Sequence, residues 1–107
     1  MTSQLALRLS DVDAEIRAVR ARLSFLRDEL LERRREAEEQ LVRSFMAETP
    51  LAERDYRLAE SRCQRLESQA LAEEGLLGRL VADRERLRGL EGAPVSGGDN
   101  PGRQAFS

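Results

Sequence analysis

The sequence predicts an all-α protein, two long helices folded into an antiparallel coiled-coil hairpin with a disordered C-terminal tail. Three observations carry that prediction. Apolar residues recur at alternating spacings of three and four on both sides of Thr49–Pro50, which puts each set on one stripe of an α-helix. The two ladders interlock when one is folded back on the other. The composition, 36% charged and 4% aromatic with no tryptophan, suits a long helix and cannot build a large globular core.

The first helix is predicted over residues 3–47. Its ladder is Leu9, Val12, Ile16, Val19, Leu23, Leu26 and Leu30. Thr2 or Ser3 can cap it, and Ser10 before Asp11 and Asp13 offers a second start. Strong heptads begin only at Leu9, so residues 1–8 are expected to fray. The turn is placed at 48–49, because Thr49 is a good N-cap and Pro50 at N1 gives up a hydrogen bond that no helix start makes. The second helix then runs over 50–91, with Tyr56, Ala59, Cys63, Leu66, Ala70, Leu77, Leu80 and Leu87 on its stripe. Gly92 and Pro94 stop it. Residues 1–91 thus form one hairpin, and the Gly- and Pro-containing segment 92–107 reads as a disordered tail. A single helix bent through Pro50 and paired between two chains is the rival topology; an interior proline costs about 3 kcal/mol, which disfavours it.

The register is testable within the sequence. With Leu9, Ile16, Leu23, Leu30 and Ala37 at a, and Tyr56, Cys63, Ala70, Leu77 and Arg84 at a in the second helix, a faces d. Paired residue numbers then sum to 96 in every layer, as in Leu9 with Leu87, Ile16 with Leu80 and Leu30 with Leu66. Flanking charges complement this register. Arg20, Arg27 and Arg34 are expected to meet Glu74, Glu67 and Glu60, while Glu36 meets Arg62 and Arg43 meets Asp55. Each such exposed pair contributes at most ~1 kcal/mol, so their effect is on direction and partner choice. Glu15 with Asp83 is a like-charge conflict, and Leu76 and Leu90 face Arg22 and Arg8. Four polar residues interrupt the seam. The arginines Arg33 and Arg84 are expected to snorkel past it, and Gln40 and Glu73 to fix register.

Composition also bounds function. The net charge of −2 is spread along the helices, leaving no basic face for nucleic acid or anionic lipid. All 18 basic residues are arginine, a bias of GC-rich coding DNA that points to a bacterial source. No stretch approaches the ~20 apolar residues of a membrane span, no secretory signal pattern opens the chain, and one cysteine suits the reducing cytoplasm. Histidine is absent, as are phosphate loops, nucleophile elbows and metal-ligand spacings. An enzyme is therefore the least favoured class, and no cofactor, metal or small-molecule substrate is expected. Glu36, Glu38 and Glu39 spread over three helical faces and read as a solvated charge run. Arg33, Arg34 and Arg35 likewise splay beside neutralising glutamates. Cys63 at an a position reads as a small core residue, although a guanidinium at Arg33 could activate a thiol.

What remains is surface. A hairpin this thin buries only one stripe per helix, so further cover is expected. The first helix carries a second stripe, Leu7, Ala14, Ala18, Ala21 and Phe25. The second carries small residues at f positions, among them Gly75, Ala82 and Gly89, joined by Gly78. Interior glycines cost ~1 kcal/mol each relative to alanine, which a close helical neighbour would rationalise. Both stripes lie towards the open end. At the turn, Leu41, Val42, Phe45, Met46, Leu51 and Leu58 are expected chiefly to seal the coil, or, if exposed together, to form a contact patch. The expected partner-binding residues are therefore Ala14, Ala18, Ala21, Phe25, Gly75, Gly78, Ala82 and Gly89, with Phe45 and Met46 at the tip. The leading expectation is a non-enzymatic adaptor that binds a helical protein or itself as a dimer, without nucleic acid and without membrane insertion. The alternative rests on general shape: residues 3–91 are similar in architecture to small helical hairpins of flagellar and type III export machinery, and to some folding cofactors. That likeness implies a chaperone or stalk-like accessory, though no motif specific to those families is present.

Overall fold

The computed structural model describes residues 3–91; residues 1–2 and the expected tail 92–107 lie outside the described residues. Two helices, α1 (Gln4–Ala47) and α2 (Pro50–Glu91), pack against each other along their length as a hairpin. Ser3 is the cap of α1 and not its first residue. Its hydroxyl accepts from the Ala6 N–H at 3.4 Å, and its carbonyl accepts from Leu7 at 3.3 Å. The helix starts there, and Ser10 is an ordinary helical residue. Leu5 and Ala6 are already half-buried, so the first turn packs.

Two residues reverse the chain. Glu48 adopts the left-handed conformation, φ 52 and ψ 42, and its N–H donates to the Ser44 carbonyl at 3.0 Å. That bond satisfies one of the last carbonyls of α1, which have no partner within the helix. Thr49 then caps α2, its hydroxyl accepting from Ala52 N–H at 3.1 Å. Pro50 follows at the first helical position, as its missing N–H allows.

Every position assigned to the seam is buried or half-buried. The seam divides into two clusters of unequal bulk. Towards the open end, Ile16, Val19, Leu23, Ala70 and Leu80 form the larger, with Val12, Leu26, Leu76, Leu77 and Val81 packed on it. Towards the turn, Leu30, Ala37, Ala59 and Cys63 form the smaller, with Leu66. Apolar burial per layer therefore falls on approaching the turn, where Gln40 and Arg33 take d positions and alanines replace leucines.

The interhelical charges differ from the expected pairing by one heptad. Arg27 meets Glu74 at 3.0 Å, and Arg34 meets Glu67; Arg20 makes no ion pair among the described residues. The cause is the direction of the Cα–Cβ bond, which tilts towards each helix's own N-terminus. In antiparallel neighbours two long side chains lean towards each other only when each starts C-terminal of the point of contact. Arg27 with Glu74 satisfies this, whereas Arg27 with Glu67 leans apart. The other expected pairs do not form either. Glu36 turns to Arg33 at 2.8 Å within α1, and neither Arg62, Arg43 nor Asp55 enters an ion pair among the described residues.

The polar seam residues behave unequally. Glu73 is held by Arg22 at 3.0 Å, and Arg33 lies between Glu29 and Glu36. Arg84 does not escape to solvent as expected. It reaches Asp13 at 3.6 Å, and its Nε is buried with no hydrogen-bond partner. Leu76, expected to face Arg22, packs on the open-end cluster instead.

Candidate functional site

Heptad position decides which way each outer residue points. Side chains at c and g of both helices share one side of the hairpin, and those at b and e share the other. The grooves follow this division. On the c/g side, Ala21, Arg22, Phe25 and Leu26 of α1 face Gln69, Ala72 and Glu73 of α2 across a largely apolar depression of about 530 Å³. Nearer the turn, on the same side, Glu36 and Glu39 face Leu58 and Arg62. The b/e side is laced by Arg27–Glu74 and Arg34–Glu67 across the seam. On the c/g side a single ion pair, Arg22–Glu73, crosses the seam among the described residues, and smaller grooves flank the b/e side.

The expected contact residues are all exposed, and they do not form one surface. Ala21 and Phe25 line the open-end groove, and Ala18, two turns before Phe25, shares its c row. Ala14, like Ala21, is at f on the back of α1. Gly75, Ala82 and Gly89 are at f on the back of α2, which points away from α1, and Gly78 is at b. The two stripes occupy the same end of the rod but opposite flanks. A Cβ added at Gly78 or Gly89 would meet nothing within 4 Å, and at Gly75 only the tip of Arg79, at 3.8 Å. Packing within the hairpin does not require these glycines. Gly78→Ala is therefore expected to raise stability by ~1 kcal/mol through helix propensity, read as a higher urea midpoint. A lower midpoint would show that the position is sterically occupied.

The tip departs from the expected seal. Leu41, Val42, Phe45, Met46, Leu51 and Leu58 are all exposed, with Phe45 at 72% and Met46 at 81%. These residues sit at b, c, e and f positions outside the seam, and the last layers are filled by Ala52 and Tyr56, both half-buried. Sequence reasoning missed Leu31 and Leu71, both exposed at b positions. It also missed Gln69 and Ala72 as the far wall of the groove. Level pairing across the hairpin, 25 with 72, was the available signal.

No chemistry gathers at these places. Among the described residues no group of acidic, histidine or cysteine side chains could hold a metal ion. Cys63 is buried, and its thiol is pushed above the ordinary 9.0, first by burial and next by the charge of Glu60; Arg34 and Arg33 pull the other way and are outweighed. Alkylation of the native thiol is thus expected to be at least ~10-fold slower than in urea-unfolded chain, because the thiolate is the nucleophile. Since the folded state holds the proton more tightly, its stability should fall as pH rises above 9.0, where the unfolded thiol ionises first. Equal alkylation rates would place Cys63 at the surface.

Among known proteins, the chain matches no family model, no curated protein and no solved structure. No described helix is long and apolar enough to cross a membrane.

Proposed function

We propose that the hairpin is a non-catalytic coiled-coil adaptor that works through helix–helix contacts of its outer surface and associates with itself. One observation carries this reading. Among the described residues, eleven large apolar side chains stand exposed on a rod of two helices, and six of them lie between Leu41 and Leu58 around the turn. Scattered exposed leucines are ordinary, but a cluster of this kind on a thin rod exposes apolar area that a helical partner would remove from water. The absence of histidine and the burial of the Cys63 thiol agree with a binding role.

The opposite flanks occupied by the two stripes make the test specific. Ala18→Arg places a bulky charge on the c/g side, whereas Ala82→Arg places it on the back of α2. Sedimentation equilibrium should show a reduced association constant for Ala18→Arg, with far-UV circular dichroism unchanged. Phe45→Ser with Met46→Ser should weaken capture of a helical partner in the same way, by removing the tip's apolar anchors. If all three variants associate like the native chain, the outer surface is not the working part and the proposal fails.

A further inference from the structure

Among the described residues, the c/g side of the hairpin is crossed only by the Arg22–Glu73 ion pair. We propose that a second copy of this chain covers it, laid face to face and parallel, with both turns at the same end. This dimer rests on the adaptor reading and adds a partner and a geometry to it.

Charge points to this partner first. On the c/g side of α1, the stretch 29–39 presents Glu29, Glu32, Glu36 and Glu39; Arg33 at d pairs with Glu29 and Glu36, and Arg35 at f pairs with Glu32. The c/g side of α2 is mainly basic, presenting Arg62, Arg65, Arg79 and Arg86 against Asp55 and Asp83. Arg62, Arg65, Arg79 and Glu39 enter no ion pair among the described residues. Acidic and basic strips thus run side by side on one face of one molecule.

A two-fold axis parallel to the rod would lay α1 of each copy over α2 of the other. Residues level with each other in one hairpin then meet between copies. Glu32 meets Arg65 of the second copy, Asp11 meets Arg86, Phe25 meets Ala72, and Met46 meets Leu51. The open-end groove lined by Phe25 and Ala72 would receive its own counterpart, giving a self-complementary contact of the kind a closed dimer needs. One like-charge pair remains, Glu15 with Asp83, and Arg86, 2.6 Å from Asp83, is shared between Asp83 and Asp11 of the second copy.

The other face-to-face arrangement, with turns at opposite ends, stacks α1 on α1 and α2 on α2. With the rods in end-to-end register it sets Glu36 against Glu15, Glu39 against Asp11, Arg8 against Arg43 and Arg62 against Arg79, against two complementary pairs, Glu29 with Arg22 and Asp55 with Arg86. Like charges placed together disfavour a wrong partner or a wrong direction. With the two rods in end-to-end register, the pattern favours the parallel dimer. Area permits it as well. At ~1.5 Å per residue the helices span roughly 60 Å, and two of them present a face about 20 Å wide, or some ~1,200 Å² per copy, above the ~800 Å² of a standard interface. Each helix would then have two antiparallel neighbours, the arrangement of a four-helix bundle.

Two charge-reversed chains test the proposal. Glu32→Arg alone sets the introduced guanidinium against Arg65 of the second copy, twice per dimer. Arg65→Glu alone sets the introduced carboxylate against Glu32 of the second copy, again twice. Each should lose at least ~10-fold in dimer affinity by sedimentation equilibrium, with helicity unchanged. Mixed in equal amounts, the two variants should dimerise again, because both contacts are then complementary; a defect in folding would not be rescued by mixing. Spin labels at position 45, in a Cys63→Ser background, should lie within ~30 Å of each other in the native dimer, against roughly a rod length of ~60 Å for opposed turns. Variants that dimerise normally, a mixture that stays monomeric, or a rod-length separation would each overturn the parallel dimer while leaving the adaptor reading in place. A native chain that never dimerises would overturn the dimer and the self-association in that reading together.

Discussion

Leu23→Ala is expected to destabilise the hairpin by about 3 kcal/mol. Leu23 is 2% exposed and belongs to the open-end cluster with Ile16, Val19, Ala70 and Leu80. Truncation removes buried methyl groups and leaves a cavity, and such changes cost roughly 2–5 kcal/mol, depending on how far the surroundings collapse. A rod two helices thick can relax sideways more than a globular core, which keeps the value below the top of that range. The same change at Leu30 should cost less, about 2 kcal/mol, because its neighbours Ala37, Ala59 and Cys63 are small. Urea unfolding followed by circular dichroism reads both. A loss under ~0.5 kcal/mol at Leu23 is surface-like behaviour and would mean that the seam is misplaced.

Arg84→Leu should act in the opposite direction and stabilise the fold by about 1–2 kcal/mol. Arg84 occupies an a position between the layers of Leu80 and Leu87. Its Nε is buried without a partner, and its one ion pair, to Asp13, is long at 3.6 Å. Leucine would remove the unsatisfied donor and fill the seam, and Asp13, 38% exposed, would remain hydrated. Replacing a poorly paired, half-buried charge with an apolar group is frequently neutral or stabilising, whereas removing only one partner of a good buried pair is costly. A loss of stability greater than ~1 kcal/mol would show that Asp13 and Arg84 form a stronger couple than their separation suggests.

The seam was legible in the sequence because burial on one face imposes a strict period on residue type. Leu9 through Leu30 and Tyr56 through Leu87 could be placed in layers before any coordinates were known. The turn was legible for a similar reason: Thr49 and Pro50 each solve one problem of a helix start. Ion pairs were less legible. They depend on which way long side chains lean, and heptad spacing alone allows Arg27 to meet either Glu67 or Glu74. The exposure of Phe45 and Met46 was not legible at all, since sealing and exposure use the same apolar residues and differ only in how the last turn of α1 is aimed. The candidate surface was half read. Ala18 and Phe25 share a side of the hairpin with a groove whose edge Ala21 reaches from the back of α1, but Gly75, Ala82 and Gly89 point off the far flank, because f positions of two facing helices are directed away from each other.

Cover of the exposed c/g side by a second copy of the chain is tested most directly by sedimentation equilibrium of the native protein over a range of concentrations. A dimer predicts a mass that rises with concentration towards twice 12.1 kDa and stops there, as a closed two-fold interface requires. A mass fixed at 12.1 kDa at every concentration, or one that climbs past the dimer without limit, would contradict it.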